Sequence, residues 1–155
     1  MNTKSTRKLH TGIEPLDSII GGFHYGNLIT LAGRPCMRTD YFVYTLMRYW
    51  LNTEENGEDF VFFSLRNREK YVTRRMGIQL AENRQAPLRW TAEYHMRGID
   101  LVFLCDCIRE YVWKEQKRVF VIDNFNFIGQ GEIRDLRHER HIIARELSKL
   151  AHELD

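Results

Sequence analysis

The sequence has no apolar run approaching the ~20 residues needed to cross a bilayer. Its first ten residues, MNTKSTRKLH, are polar and lack the apolar centre of a secretory signal. A membrane-spanning protein is therefore not expected. The chain also lacks a cysteine framework. Cys36, Cys105 and Cys107 make an odd set of three, and on a helix the CDC spacing turns its two thiols about 200° apart, which argues against a shared metal site. Buried, reduced thiols are the expectation, and with them a cytoplasmic location. An excess of one charge is missing as well: 23 Lys and Arg stand against 21 Asp and Glu, for a net charge of +2. Bulk charge thus gives nucleic-acid binding little support, and such a role would need local patches. Repeats and low-complexity segments are absent.

What is present suits one globular domain. A chain of 155 residues can bury a real core, and 43% hydrophobic with 28% charged residues argues against wholesale disorder. Residues 1–10 read as a short basic tail and 11–155 as the domain. TGIEPLDSIIGGFHYGN holds a helical turn or two ended by Gly-Gly. NLITLAG is a short apolar run closed by glycine and reads as a buried strand. YFVYTLMRYWLNTEENG spaces Phe42, Leu46, Tyr49 and Trp50 as a helix. DFVFFSL (59–65) is a second buried strand, almost without polar interruption, as expected when both faces are covered. REKYVTRRMGIQLA is helical in pattern. Residues 82–98 predict loops and a short helix. IDLVFLCDCIREYVWKEQK predicts an amphipathic helix with Leu101, Leu104, Ile108, Tyr111 and Val112 on one side. RVFVIDNFNFIG is a third buried strand, emerging at Asp123. The last helix sets Ile133, Leu136, Ile143, Leu147, Leu150 and Leu154 along one stripe. Strands separated by helices long enough to cross over imply parallel pairing and an α/β sandwich.

The loop between NLITLA and the following helix is the point of chemical interest. An active phosphate-binding loop reads G-x-x-x-x-G-K-[ST], and its backbone N–H groups, helix N-terminus and lysine all face the phosphates. Here the eight positions read GRPCMRTD: Gly33, Arg34, Pro35, Cys36, Met37, Arg38, Thr39 and Asp40. Arg38 occupies the place of the second glycine, Thr39 that of the lysine, and Asp40 that of the hydroxyl that would hold magnesium. A carboxylate about 4 Å from a phosphate charge is repelled by about 4 kcal/mol at an effective dielectric near 20. The loss of the lysine acts in the same direction. A plainer reading makes Thr39 or Asp40 the cap of the following helix, with Asp40 favoured by the helix dipole.

Taken together, four segments resemble the C-terminal motor domain of DnaB-type replicative DNA helicases, a branch of the RecA-like P-loop ATPases. They are TGIEPLDSIIGGFHYGNLITLAGRP, FVFFSLRN, RVFVIDNFNFI and IRDLRHERHIIARELSKLAHEL, in the family's order, and they span about Thr11 to Asp155. The resemblance implies a RecA-like α/β sandwich with a short, mostly parallel sheet flanked by helices. It implies ATP and magnesium at residues 33–40, with Asp123 as the Walker B aspartate. It places Arg66 where the family has its water-activating glutamate, and without that base the attacking water is not activated. The sequence ends at AHELD, before the strand that supplies the family's phosphate-sensing residue. The region 77–100 reads as too short for the family's extra strand. The expectation is therefore a truncated, degenerate domain that binds no cofactor and hydrolyses nothing, serving as a binding or regulatory module in DNA replication or mobile-element DNA metabolism. A helicase or other replication protein would be its partner, and an open sheet edge would favour dimers or higher association.

Rival expectations remain in view. One is an ATP-binding helicase or ATPase with a non-standard loop. Another is a DNA or polyanion-binding module built on Arg34, Arg38, Arg66, Arg68, Lys70, Arg74 and Arg75, which strand topology gathers near the carboxyl edge of the sheet. Asp40 and Asp123 converging on a divalent cation is a further alternative. In RHERH, His138 and His141 are three apart, whereas the zinc motif needs four, so a solvated helix face is expected.

Overall fold

The computed structural model describes residues 8–53, 59–80, 90–129 and 136–154. Its elements in chain order are β1 (Lys8–Leu9), α1 (Glu14–Ile20), β2 (Phe23–His24), α2 (Thr39–Asn52), β3 (Phe60–Ser64), α3 (Glu69–Leu80), β4 (Trp90–Tyr94), β5 (Ile99–Asp100), α4 (Leu101–Glu115), β6 (Val119–Asp123), β7 (Ile128–Gly129) and α5 (Leu136–Glu153). The main sheet has the order β4–β3–β6 and is entirely parallel, with Phe60 opposite both Trp90 and Val119 and Ser64 opposite both Tyr94 and Asp123.

The central strand FVFFS is fully buried because its alternating side chains enter two separate cores. Phe60 and Phe62 pack with Tyr44, Met47 and Trp50 of α2 and with Val72 and Met76 of α3. Val61 and Phe63 face the other way, against Leu104 and Ile108 of α4 and Ile143, Leu147 and Leu150 of α5. Helices therefore cover both faces of a short parallel sheet, and the expected α/β sandwich is what forms. The start of α4 is set by Asp100, whose carboxylate accepts from the N–H groups of Val102 (2.9 Å) and Phe103 (3.2 Å).

TGIEPLD folds into a clasp ahead of α1. The Asp17 carboxylate accepts from the Thr11 N–H (2.9 Å), the Thr11 hydroxyl (2.9 Å) and the Gly12 N–H (3.1 Å). Desolvation opposes its ionisation, but these bonds together outweigh it and hold the carboxyl below its ordinary range. Gly12 is required here: it has φ +74°, and a Cβ would run into the Tyr49 ring.

Several expectations are corrected. NLITLAG is not a strand: residues 27–33 pair with nothing among the described residues, and Ile29 (50%) and Leu31 (47%) are exposed. Only Leu28 of this run leans on the core. Within 82–98, where loops and a short helix were expected and the extra strand was not, β4 runs parallel to β3; residues 81–89 lie outside the described set. The supposed tail enters the fold at its end, because Lys8–Leu9 pairs with Phe23–His24, Leu9 is buried and the Trp50 indole N–H donates to the His10 carbonyl at 2.8 Å. Cys105 is buried and Cys107 half-buried as expected, but Cys36 is exposed. Leu136 leaves the apolar stripe of α5, being 64% exposed, and Ile133 lies outside the described residues. His138 and His141 do sit exposed on α5.

Candidate functional site

Parallel strands bring β3, β4 and β6 to a common carboxyl edge, where ligands of open α/β sheets are received. β6 delivers Asp123 there, opposite Ser64. The turn after β3 delivers Arg66 and Asn67. The Ser64 hydroxyl donates to the Asn67 carbonyl (2.8 Å), and the Asn67 amide then donates to the Asp123 carboxylate at 3.0 Å. Burial pushes the Asp123 carboxyl above its ordinary value; the Asn67 bond and the Arg66 charge work against that shift, and the Asp40 charge adds to it. The structure thus brings Asp40, Arg66 and Asp123 into one electrostatic neighbourhood.

The loop preceding α2 folds as a tight turn, with the Met37 N–H donating to the Arg34 carbonyl at 3.1 Å. Gly33 through Arg38 are all exposed. Cys36 (φ 68°) and Arg38 (φ 51°) both take left-handed conformations that L side chains rarely adopt. Position 38 has kept the backbone shape of a glycine without the glycine. The Thr39 methyl lies so close to Gly33 that not even a Cβ fits between them. The expected cap is not formed: α2 begins after Arg38 with no side-chain acceptor on its first N–H groups, so neither Thr39 nor Asp40 caps it, and only the dipole favours Asp40 in the first turn.

Two residues of this site escaped sequence reasoning. Tyr44 lies one helical turn beyond Asp40 and is only 1% exposed, and its hydroxyl has no hydrogen-bond partner among the described residues. Burial, followed by the Asp123 charge, drives the phenol well above its ordinary pKa, although the Asn67 amide pulls the other way. Asn67 is the other. The spacing of Tyr44 from Asp40 is the signal that could have found the first; nothing in FSLRN singles out the second. Further along the edge, at β4, the Tyr111 hydroxyl donates to Glu93 at 2.5 Å, and His95 stands 3.6 Å from the same carboxylate. Among the described residues no group of three or more His, Cys, Asp and Glu side chains is placed to hold a metal ion, and no helix is long and apolar enough to cross a membrane.

A parallel sheet between two helical layers, with a glycine-led loop opening α2 beside the aspartate that ends β6, defines a RecA-like α/β domain. Solved structures share the fold. One of them, an ATPase domain, superposes with a TM-score of 0.76 at 18% identity, over 99% of this chain and 63% of its own. A DnaB-like replicative helicase, described with its interactions with primase, superposes with a TM-score of 0.73 at 18% identity, over 99% of this chain and 44% of its own. The chain therefore spans less than two thirds of the length of either. The family model for the DnaB-like helicase C terminal domain matches residues 8–96, more than half of the sequence, and the chain belongs to that family. A search among curated proteins gives no match.

Proposed function

We propose that this domain has given up nucleotide hydrolysis and works as a binding or regulatory module in DNA replication or mobile-element DNA metabolism. The observation that carries the reading is the charge arrangement under the loop. The Asp40 charge adds to the burial that already holds the Asp123 carboxyl above its ordinary value, while the position that should bring a lysine brings Thr39, folded onto Gly33. A magnesium–triphosphate needs cationic and hydroxyl groups at those positions. The residues present fit that ligand badly. Asp123 is already engaged by Asn67, and Arg66 stands where a general base would be needed, so that position offers no carboxylate to activate water.

A divalent cation held by Asp40 and Asp123 without nucleotide would have only two protein ligands, fewer than such ions ordinarily recruit from a dedicated site. The family supports a helicase or another replication protein as partner. The edge of β6, unpaired among the described residues, supplies a place for association through the sheet.

The test is calorimetric titration with a non-hydrolysable ATP analogue and magnesium, on the natural protein and on the repaired variant Arg38→Gly/Thr39→Lys/Asp40→Thr. A silent natural protein beside a binding repaired one supports the proposal. Micromolar binding by the natural protein, roughly −8 kcal/mol, overturns it in favour of an ATPase with an altered loop.

A further inference from the structure

Residues 27–33 and β6 are two strand-suited segments of one chain whose main chains lack a partner. The run NLITLA makes no backbone hydrogen bond to another segment among the described residues, and Ile29, Thr30, Leu31 and Ala32 are all exposed. Only Leu28 reaches the core, on the α4–α5 side of the sheet, where Phe120 and Ile122 of β6 also pack.

β6 is paired along one side. The Leu65 N–H donates to the Asp123 carbonyl at 2.5 Å, so the ladder to β3 uses Asp123 and, by alternation, Val121 and Val119. Phe120 and Ile122 therefore turn their N–H and C=O groups to the other side, where no strand follows among the described residues. Sheets ordinarily blunt such an edge with lysine, proline or an inward-pointing charge. Val119–Ile122 carries none of these, and neither does Leu28–Ala32. Two uncharged segments placed side by side do not repel.

We infer that residues 28–32 of one copy pair with β6 of a second copy, and that the exchange is reciprocal, so that two chains form one continuous sheet about a two-fold axis. The inference rests on the association through the β6 edge proposed above and names its partner. Each chain carries both halves of the contact, and a two-fold pair leaves neither half unsatisfied. A strand from an unrelated protein would cover β6 and leave the aliphatic run in water. In the pair, the outward main-chain groups of Phe120 and Ile122 gain partners, and the side chains of the run lie alternately on the two faces of the extended sheet.

The experiment combines sedimentation velocity across micromolar concentrations with residue-resolved amide hydrogen exchange on the full chain. The expected result is a dimer in which the Phe120 and Ile122 amides, with alternate amides of residues 28–32, exchange slower by about tenfold or more than in dilute solution. Ile29→Lys/Leu31→Lys should give a monomer at the same concentrations and return these amides to fast exchange. Both side chains are exposed in the single chain, so the melting temperature in dilute solution should stay unchanged, which shows that the variant folds. Ile29→Val/Leu31→Val should keep the dimer, since β-branched residues suit a paired strand. A chain that stays monomeric throughout overturns the inference and leaves the edge to a strand of another protein. A dimer whose Phe120 and Ile122 amides exchange as fast as in the monomer, or one that the lysines leave intact, overturns it as well. The outcome is separable from that of the nucleotide titration. A monomer that binds no ATP analogue refutes the edge pairing alone, and a dimer that binds it refutes the reading of the loop alone.

Discussion

Replacing Arg38 by glycine should stabilise the protein, although it removes a long side chain and adds a flexible residue. Arg38 precedes α2 with φ 51° and ψ 46°, a left-handed conformation that costs an L-residue roughly 1–2 kcal/mol. Glycine takes this shape freely but loses about 0.5–1 kcal/mol more conformational entropy on folding. The Arg38 side chain is exposed, and the contacts this residue makes are through its carbonyl, which accepts from the N–H groups of Tyr41 (3.0 Å) and Phe42 (3.4 Å). Glycine keeps both. The balance favours Arg38→Gly by about 0.5–1 kcal/mol. In urea, with a slope of about 1–3 kcal/mol per molar, the midpoint should rise by roughly 0.2–1 M, and the melting temperature by about 2 °C. Arg38→Val should move the other way, because a β-branched residue suffers most at positive φ. Should glycine lower the midpoint while valine leaves it unchanged, the left-handed entry into α2 is not what sets this position, and the reasoning fails.

Two further perturbations test the carboxylates. Asp17→Ala should cost roughly 1–3 kcal/mol at neutral pH by leaving the Thr11 and Gly12 donors unpaired. Because the folded-state pKa of Asp17 is lowered from 3.8, its contribution is present above that value and lost as the pH falls through the folded pKa, so wild type and variant should converge in acid urea titrations. Asp123→Asn should raise the melting temperature at pH 7. The Asp123 carboxyl is raised from 3.8, so ionisation penalises the folded state above the folded pKa, and the penalty disappears below the unfolded value. An asparagine oxygen can still accept from Asn67, and the gain over wild type should vanish near pH 3, roughly a unit below that value. A lower melting temperature at pH 7 would mean that the charge at position 123 is used by the folded protein.

The layers were legible because burial on two faces writes itself into composition: FVFFS could only be a covered strand, and the stripes of α2 and α4 announced their cores. NLITLAG failed for a different reason. A run of aliphatic residues states that a segment would suit a strand, but pairing needs a neighbour. Among the described residues β6 pairs with β3 alone, while residues 27–33 stand apart. WTAEY was the opposite error. Its alternation was present, with Trp90, Ala92 and Tyr94 on the α2–α3 face and Glu93 turned toward Tyr111, but five residues behind a polar stretch gave a weak signal. At the site, substitutions were readable as identities and unreadable as geometry. That Arg38 keeps a glycine's backbone, and that Thr39 declines to cap the helix, follow from how the loop closes.

On the proposed reading, the loop and the residues around it have a common electrostatic sense. A triphosphate with magnesium is a compact ligand, and it demands a lysine, a hydroxyl and an aspartate at fixed points within a few ångströms. Here those points carry Thr39, Asp40 and Asp123, with the Asp40 charge adding to the raised state of the Asp123 carboxyl. Yet the edge as a whole has not lost positive charge: Arg34, Arg38 and Arg66 are exposed around the loop, and Arg68, Lys70 and Arg74 follow along α3. Exposed cations on long side chains cannot replace a lysine held at a phosphate, since each is screened by water and free to move. They can act together on an extended anion, whose successive charges meet several of them at once. The first turn of α2 leads into the Tyr44 phenol, which packs on Phe62 with ring centres 5.9 Å apart and is sealed from solvent. The inner face of α2 is thus part of the core, and its outer flank is where Tyr41, Arg48 and Arg75 meet.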